Sequence, residues 1–265
     1  MIERVLLVGC GKMGRALLDG WLGADMVAHV DVVEPGTAPV PDDPRVNHYR
    51  SAEEANTKPD VVVLAVKPQA MDAVIDQYRH FARPDCVFLS IAAGKTLSYL
   101  QRHLGEHTHI VRAMPNTPAA VGKGISVLVA DADADGEQKE TCQHLLEVVG
   151  LTEWVEDEGL IDIVTALSGG GPAYVFLLIE ALAEAGAKAG LPADLAMHLA
   201  RQTVIGSGAL AELSDEPAAQ LRRNVTSPQG TTEAALKVLM AETGIQPIFD
   251  RAIEAATARS RELDS

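Results

Sequence analysis

Val5-Leu6-Leu7-Val8-Gly9-Cys10-Gly11-Lys12-Met13-Gly14 decides the fold. Four apolar residues run straight into GxGxxG, and the helical pattern 13–22 follows at once. An apolar strand, a glycine turn and a helix in that order make the first half of a dinucleotide-binding βαβ unit. The first glycine allows the tight turn, the second lets the backbone approach a pyrophosphate, and the third lets the helix pack on the strand. The helix start then offers unbonded N–H groups to an anion. Gly9, Cys10, Gly11, Lys12, Met13 and Gly14 are therefore the first candidate cofactor residues. A ligand-free strand–helix turn is the plain alternative for the motif alone.

Outward from this stretch, short β-branched runs alternate with helical patterns. The runs are Val5–Val8, Val30–Val33, Val61–Val66, Val87–Ile91, Ile110–Arg112 and Ile125–Ala130, with helices near 13–22, 70–79, 97–103 and 135–148. Continuous apolar runs of this length suit strands covered on both faces. Right-handed crossovers then give an α/β doubly wound Rossmann domain over residues 1–158. From about 157 onward no strand is expected. Residues 160–265 hold 21 alanines, against 18 in residues 1–159. Helices are expected near 172–189, 192–213, 217–224, 232–242 and 246–262, with Pro172 and Pro192 at helix starts and Gly190 past a helix end. Residues 159–265 thus read as an all-α C-terminal domain.

Composition narrows the function classes. The chain has 265 residues, 47% hydrophobic, with 22 Lys plus Arg against 37 Asp plus Glu and a formal net charge of −15. No basic block is present, so nucleic acid and anionic membrane are poor partners. No apolar run is expected to reach the length that spans a bilayer. The first residues, Met1 to Gly9, are too short for a signal peptide. Cys10, Cys86 and Cys142 are scattered and odd in number, which suits reduced thiols and a cytoplasmic location. The eight histidines show no ligand spacing, so no metal is expected.

Glu34 ends the second run, where an acid can bond both ribose hydroxyls of NAD and repel the 2′-phosphate of NADP. Pro35-Gly36-Thr37 after it supply no arginine, so NADH is favoured over NADPH. A solvated loop carboxylate is the alternative.

Five further stretches stand in order along the chain: Ala65-Val66-Lys67-Pro68-Gln69, Ser90-Ile91-Ala92-Ala93-Gly94, Arg112-Ala113-Met114-Pro115-Asn116-Thr117-Pro118, Ser168-Gly169-Gly170-Gly171-Pro172-Ala173-Tyr174, and Val225-Thr226-Ser227-Pro228-Gln229-Gly230-Thr231-Thr232. With the glycine turn they closely resemble the pyrroline-5-carboxylate reductase family, from residue 4 to about 250. The resemblance implies NADPH- or NADH-dependent reduction of 1-pyrroline-5-carboxylate to L-proline. Two positions depart from it. Gln229 stands where the family has glycine, and Gly170 where it has serine. Carried over by motif, Asn56 is implied at the adenosine ribose, Ala65, Val66, Lys67 and Pro68 at the ribose–nicotinamide side, Ala92, Ala93 and Gly94 along the cofactor, and Asn116 and Thr117 near the nicotinamide.

The substrate so implied is a cyclic imine bearing a carboxylate. Residues 227–232 lead into a helix start, which favours an anion. The carboxylate is expected on Ser227, Gly230 and Thr231. The Thr232 hydroxyl is expected at the ring nitrogen, where it positions or relays a proton rather than storing one. An ordinary N-cap cluster is the alternative. Lys188 is faintly similar to the catalytic lysine of β-hydroxyacid dehydrogenases, but a lysine near a helix C-terminus suits the dipole. Two other functions use the same architecture: reduction of another cyclic imine or a 3-hydroxy acid, and a non-catalytic dinucleotide sensor. Tyr174 and Phe176 are expected in the core. The helix 172–189 is apolar nearly all round, with Glu180, Glu184 and Lys188 on one stripe, so it needs covering on most of its surface. Pairing with the helices of a second subunit is expected. The resemblance implies a dimer with an active site completed by both chains.

Overall fold

Each strand of the first half places alternate residues on opposite faces of one sheet, and helices cover both. The computed structural model describes residues 2–263; Met1, Asp264 and Ser265, at the ends of the two expected domains, lie outside the described residues. Eight strands form the sheet: β1 (Ile2–Val8), β2 (Val27–Val33), β3 (Val46–Tyr49), β4 (Val61–Leu64), β5 (Val87–Ser90), β6 (His109–Met114), β7 (Gly124–Ala130) and β8 (Gly150–Trp154). Their order is β3-β2-β1-β4-β5-β6-β7-β8, and every neighbouring pair is parallel except β6 and β7. Val5, Leu7, Val61, Val63, Val87 and Leu89 face a layer made by α1 (Lys12–Gly23) and α4 (Gly136–Glu147), where Leu17, Leu18, Trp21, Cys142 and Leu145 are buried. The Trp21 indole donates to the Leu145 carbonyl at 2.7 Å, fixing the two helices together. Leu6, Val8, Val62, Leu64, Phe88 and Ile110 face the other layer: α2 (Pro68–Val74), a 3₁₀ segment Ile75–Phe81, and α3 (Leu97–Leu104). Burial on both faces explains why these strands are apolar throughout.

Three features differ from expectation. β3 and β8 are additional strands, both at sheet edges and only partly buried, with polar residues interspersed. β7 runs antiparallel to β6. The helix expected over 70–79 is the α-helix α2, which tightens to 3₁₀ from Ile75.

Beyond the sheet come α5 (Leu160–Val164), a π-turn at Thr165–Gly169, α6 (Gly171–Lys188), α7 (Ala193–Glu212), α8 (Ala218–Asn224), α9 (Thr231–Leu239) and α10 (Ile245–Leu263). The chain packs as two compact units, Met1–Gly169 with Ala256–Ser265, and Gly170–Ala255. In the first, the C-terminal part of α10 is tied to α5: the Ser260 hydroxyl donates to the buried Asp162 carboxylate at 2.7 Å. In the second, α6 and α7 approach closely through small residues, a Cβ on Gly186 standing 3.3 Å from that of Ala196.

The second unit buries little of its own apolar surface. Among its described hydrophobic residues only Ala183, Ala196 and Ala200 are buried. Phe176 is 60% exposed and Leu177 62%, so the expectation that Phe176 is core does not hold within one chain. The expectation of no bilayer-length apolar run is also corrected. Leu160–Lys188 is long and apolar enough by length and composition, because α5 and the π-turn lengthen the apolar stretch ahead of α6.

Candidate functional site

β1 lies between β2 and β4, so the chain leaves it in one direction and returns on the other side. Ligands of doubly wound sheets bind at the carboxyl ends of the strands where the order reverses. The glycine turn sits at this point. Gly9 has φ +92°, and a Cβ there would stand 2.9 Å from the Ala65 carbonyl oxygen after β4. A Cβ on Gly14 would stand 2.3 Å from the Gly9 carbonyl oxygen, so neither position admits a side chain without moving backbone. Gly11 is different: no atom lies within 4 Å of where its Cβ would be. It is also the N-cap of α1 and, having no side chain, leaves the first helical N–H groups uncapped. An open cradle at an uncapped helix start fits a dinucleotide pyrophosphate.

Beside it lies a cleft of about 470 Å³ lined by Gly9, Gly11, Glu34, Arg50, Ser51 and Lys67, with Ala65, Val66 and Tyr78 among its other walls. Glu34 is half-buried, and both its carboxylate oxygens are held: one accepts from Cys10 N–H at 2.8 Å, the other from Gly36 N–H at 2.7 Å. The acid is thus fixed to the glycine turn. Sequence reasoning placed no arginine next to it, but the fold does. Arg50 leaves the end of β3 and donates through Nη1 to the Pro35 and Gly36 carbonyls at 3.1 Å each.

The other expected cofactor residues fare differently. Lys67 is exposed at the N-cap of α2 and Pro68 opens that helix, both after β4. Ala92, Ala93 and Gly94 follow β5, with Ala92 and Gly94 buried and Gly94 at φ +68°. Asn56 sits exposed on the 51–57 turn and is not among the residues lining the cleft. Both ends of the Asn116 amide are engaged within the protein, Nδ2 donating to Ser168 O at 3.2 Å and Oδ1 accepting from Ile125 N–H at 3.0 Å. Its side chain therefore pins the loop after β6. Cys10 is 2% exposed and burial pushes its thiol pKa up, which suits packing and not nucleophilic chemistry.

In the second unit, α9 starts at Gly230, which caps it without a side chain. The N–H groups of Thr231, Thr232 and Glu233 therefore stand in the orphan positions of a helix start. Gly230 N–H, expected among the free donors, instead closes a turn on the Ser227 carbonyl at 3.0 Å. Ser227, Thr231 and Thr232 are exposed, and their hydroxyls bond no other described residue. Gln229 has φ +60°, the left-handed region that glycine adopts freely. Its N–H is anchored at 2.6 Å by the Glu233 carboxylate, which offsets part of that strain. Among the described residues no group of His, Cys, Asp and Glu is arranged to hold a metal. Lys188 pairs with Glu184 on the surface of α6.

Comparison with known proteins bears on both units. Residues 158–263 match the family model "Pyrroline-5-carboxylate reductase dimerisation", and residues 4–94 match "NADP oxidoreductase coenzyme F420-dependent". The pyrroline-5-carboxylate reductase of Pseudomonas aeruginosa is 41% identical over 264 residues, covering 98% of this chain and 96% of that protein. That of Pisum sativum is 37% identical over 97% of this chain and 94% of the relative. The solved pyrroline-5-carboxylate reductase of Coxiella burnetii superposes with a TM-score of 0.93 at 34% identity, covering all of both chains. The Plasmodium falciparum enzyme, solved with NADP bound, gives 0.83 at 31% identity, covering 100% of this chain and 98% of that one.

Proposed function

The chain belongs to the pyrroline-5-carboxylate reductase family, and from that premise we propose which of its residues carry the reaction. It is an oxidoreductase that reduces 1-pyrroline-5-carboxylate to L-proline with NADPH or NADH, and it self-associates. The observation that carries the substrate assignment is the uncapped start of α9, bearing two unbonded threonine hydroxyls.

Reduction of the ring needs a hydride at the imine carbon, a proton at nitrogen, and an anion site that fixes orientation. Bound NADH or NADPH supplies the hydride. Thr231 N–H and the Ser227 hydroxyl hold the substrate carboxylate, where the helix dipole adds to the attraction. Gly230 serves this site by its missing side chain: a capping hydroxyl there would take the N–H groups the anion needs. Thr232 hydrogen-bonds the ring nitrogen through its hydroxyl, donating to a neutral imine or accepting from a protonated one, and so positions or relays the proton. A hydroxyl is too weak an acid to be the final proton source, so water or an already protonated imine provides it.

For the cofactor, Gly9, Cys10, Gly11, Lys12, Met13 and Gly14 cradle the pyrophosphate, and Glu34 takes the adenosine ribose. Asn56 borders that end, and Ala65, Val66, Lys67, Pro68, Ala92, Ala93 and Gly94 flank the rest, with Asn116 holding the loop after β6. Residues 1–158 and 159–265 are the two functional modules. Self-association runs through the apolar helices of the second, as a dimer with a site completed by both chains. Three free, buried cysteines support a cytoplasmic setting.

Glu34 is tested by steady-state kinetics with both dinucleotides. The wild type uses NADH at least as well as NADPH. Glu34→Ser moves the preference toward NADPH by about tenfold, because the carboxylate no longer repels a 2′-phosphate. A wild type that prefers NADPH by about tenfold removes Glu34 from the ribose.

A further inference from the structure

We propose that Arg50 is the residue that admits the 2′-phosphate of NADPH, so that one cleft serves both dinucleotides. The proposal rests on the placement of the adenosine ribose at Glu34. β2 and β3 run parallel with Val33 opposite Tyr49, and Glu34 N–H donates to the Tyr49 carbonyl at 3.0 Å. The next residues, Glu34 and Arg50, therefore leave two neighbouring strand ends side by side, with opposite charge, into the same cleft. A 2′-phosphate belongs beside the acid that ends β2. Arg50 stands there: Nη1 holds the carbonyls of Pro35 and Gly36, the two residues after that acid. Its backbone N–H is fixed by the Glu54 carboxylate at 2.8 Å.

The guanidinium retains donors for a ligand. Nε and Nη2 make no hydrogen bond to another described residue, and Arg50 forms no ion pair with Glu34, whose two oxygens are occupied by Cys10 and Gly36 N–H groups. A fork of N–H donors on a fixed cation matches a phosphate monoester, whereas a ribose hydroxyl gains little from it. The cleft thus holds an acid suited to the free hydroxyl of NADH and a cation suited to the phosphate of NADPH, on adjacent strand ends.

A purely structural arginine, closing the 35–36 turn, would matter equally for both dinucleotides. Isothermal titration of NADP⁺ and NAD⁺ into the wild type, Arg50→Met and Arg50→Lys separates the two roles. Arg50→Met weakens NADP⁺ by about tenfold or more and NAD⁺ by less than about threefold, with Arg50→Lys between the wild type and Arg50→Met for NADP⁺. Equal weakening of both dinucleotides, or of neither, overturns the proposal. If Arg50→Met does not fold, the wild type decides: it binds adenosine 2′,5′-bisphosphate within about tenfold of 5′-AMP, and a larger preference for 5′-AMP overturns it. A wild type that binds neither dinucleotide overturns the cleft assignment itself, and this proposal with it.

Discussion

Thr232→Ala lowers kcat by about tenfold to a thousandfold, the range for losing one transition-state hydrogen bond or proton relay. Affinity for the dinucleotide stays within about twofold, since Thr232 is assigned to the ring nitrogen and not to the cofactor. The basis is local. Gly230 leaves α9 uncapped, so the Thr232 hydroxyl is not drawn into the helix start as an N-cap hydroxyl would be. It stands exposed and unbonded in the first turn, available to a ligand atom. The variant folds, because an exposed threonine beside the cap contributes little to stability. Thr232→Ser keeps the hydroxyl and retains most of the turnover. Near wild-type kcat in Thr232→Ala removes the residue from the mechanism, and a raised KM with unchanged kcat makes it a binding contact only.

A charge on the exposed face of α6 has an effect of similar size on assembly. Leu177 is 62% exposed within the single chain, and Gly170–Ala255 buries only three alanines among its described hydrophobic residues. A helical unit with so small a core is not stable alone; it gains its apolar burial from a partner. Leu177→Glu places an unpaired carboxylate in that buried surface, at about 3–5 kcal/mol per site. Light scattering at micromolar concentration then shows the mass falling from at least two chains toward the 28.1 kDa of one. Turnover falls with it under the proposal that both chains complete each active site. A wild-type monomer that is stable and fully active contradicts the shared site. Leu213→Glu is the matched control only if its position, 86% exposed at the end of α7, lies outside the contact; unchanged mass in that variant maps the edge of the interface.

The sequence revealed the strands that are buried on both faces, because burial forces an unbroken apolar run. The glycine turn was legible for the same kind of reason: Gly9 and Gly14 answer to specific steric demands, at the Ala65 and Gly9 carbonyl oxygens, while Gly11 leaves the space beside the helix start open. The edge strands were not. Val46-Asn47-His48-Tyr49 carries polar residues because one of its sides is open, and it breaks no pattern that a loop would not. Missing β3 also hid Arg50, whose approach to Glu34 exists only through the pairing of β2 with β3. The reversal at β7 had a usable signal in retrospect. Only residues 115–123 join β6 to β7, too few for a parallel crossover. The fate of Gly230 N–H depended on the turn that Gln229 makes at φ +60°, and a conformation of that kind at glutamine is not written in composition or period. Phe176 was misjudged because an apolar helix surface looks the same whether its cover comes from its own chain or another.

The most direct test of the reductase assignment follows purified protein with 1-pyrroline-5-carboxylate and either NADH or NADPH, reading loss of the reduced nicotinamide absorbance and identifying the product by chromatography. The account predicts substrate-dependent oxidation with L-proline formed in equal amount, and no reaction with 3-hydroxy acids and the oxidised dinucleotide. Protein that binds the dinucleotide yet forms no proline, or that oxidises a 3-hydroxy acid instead, contradicts it.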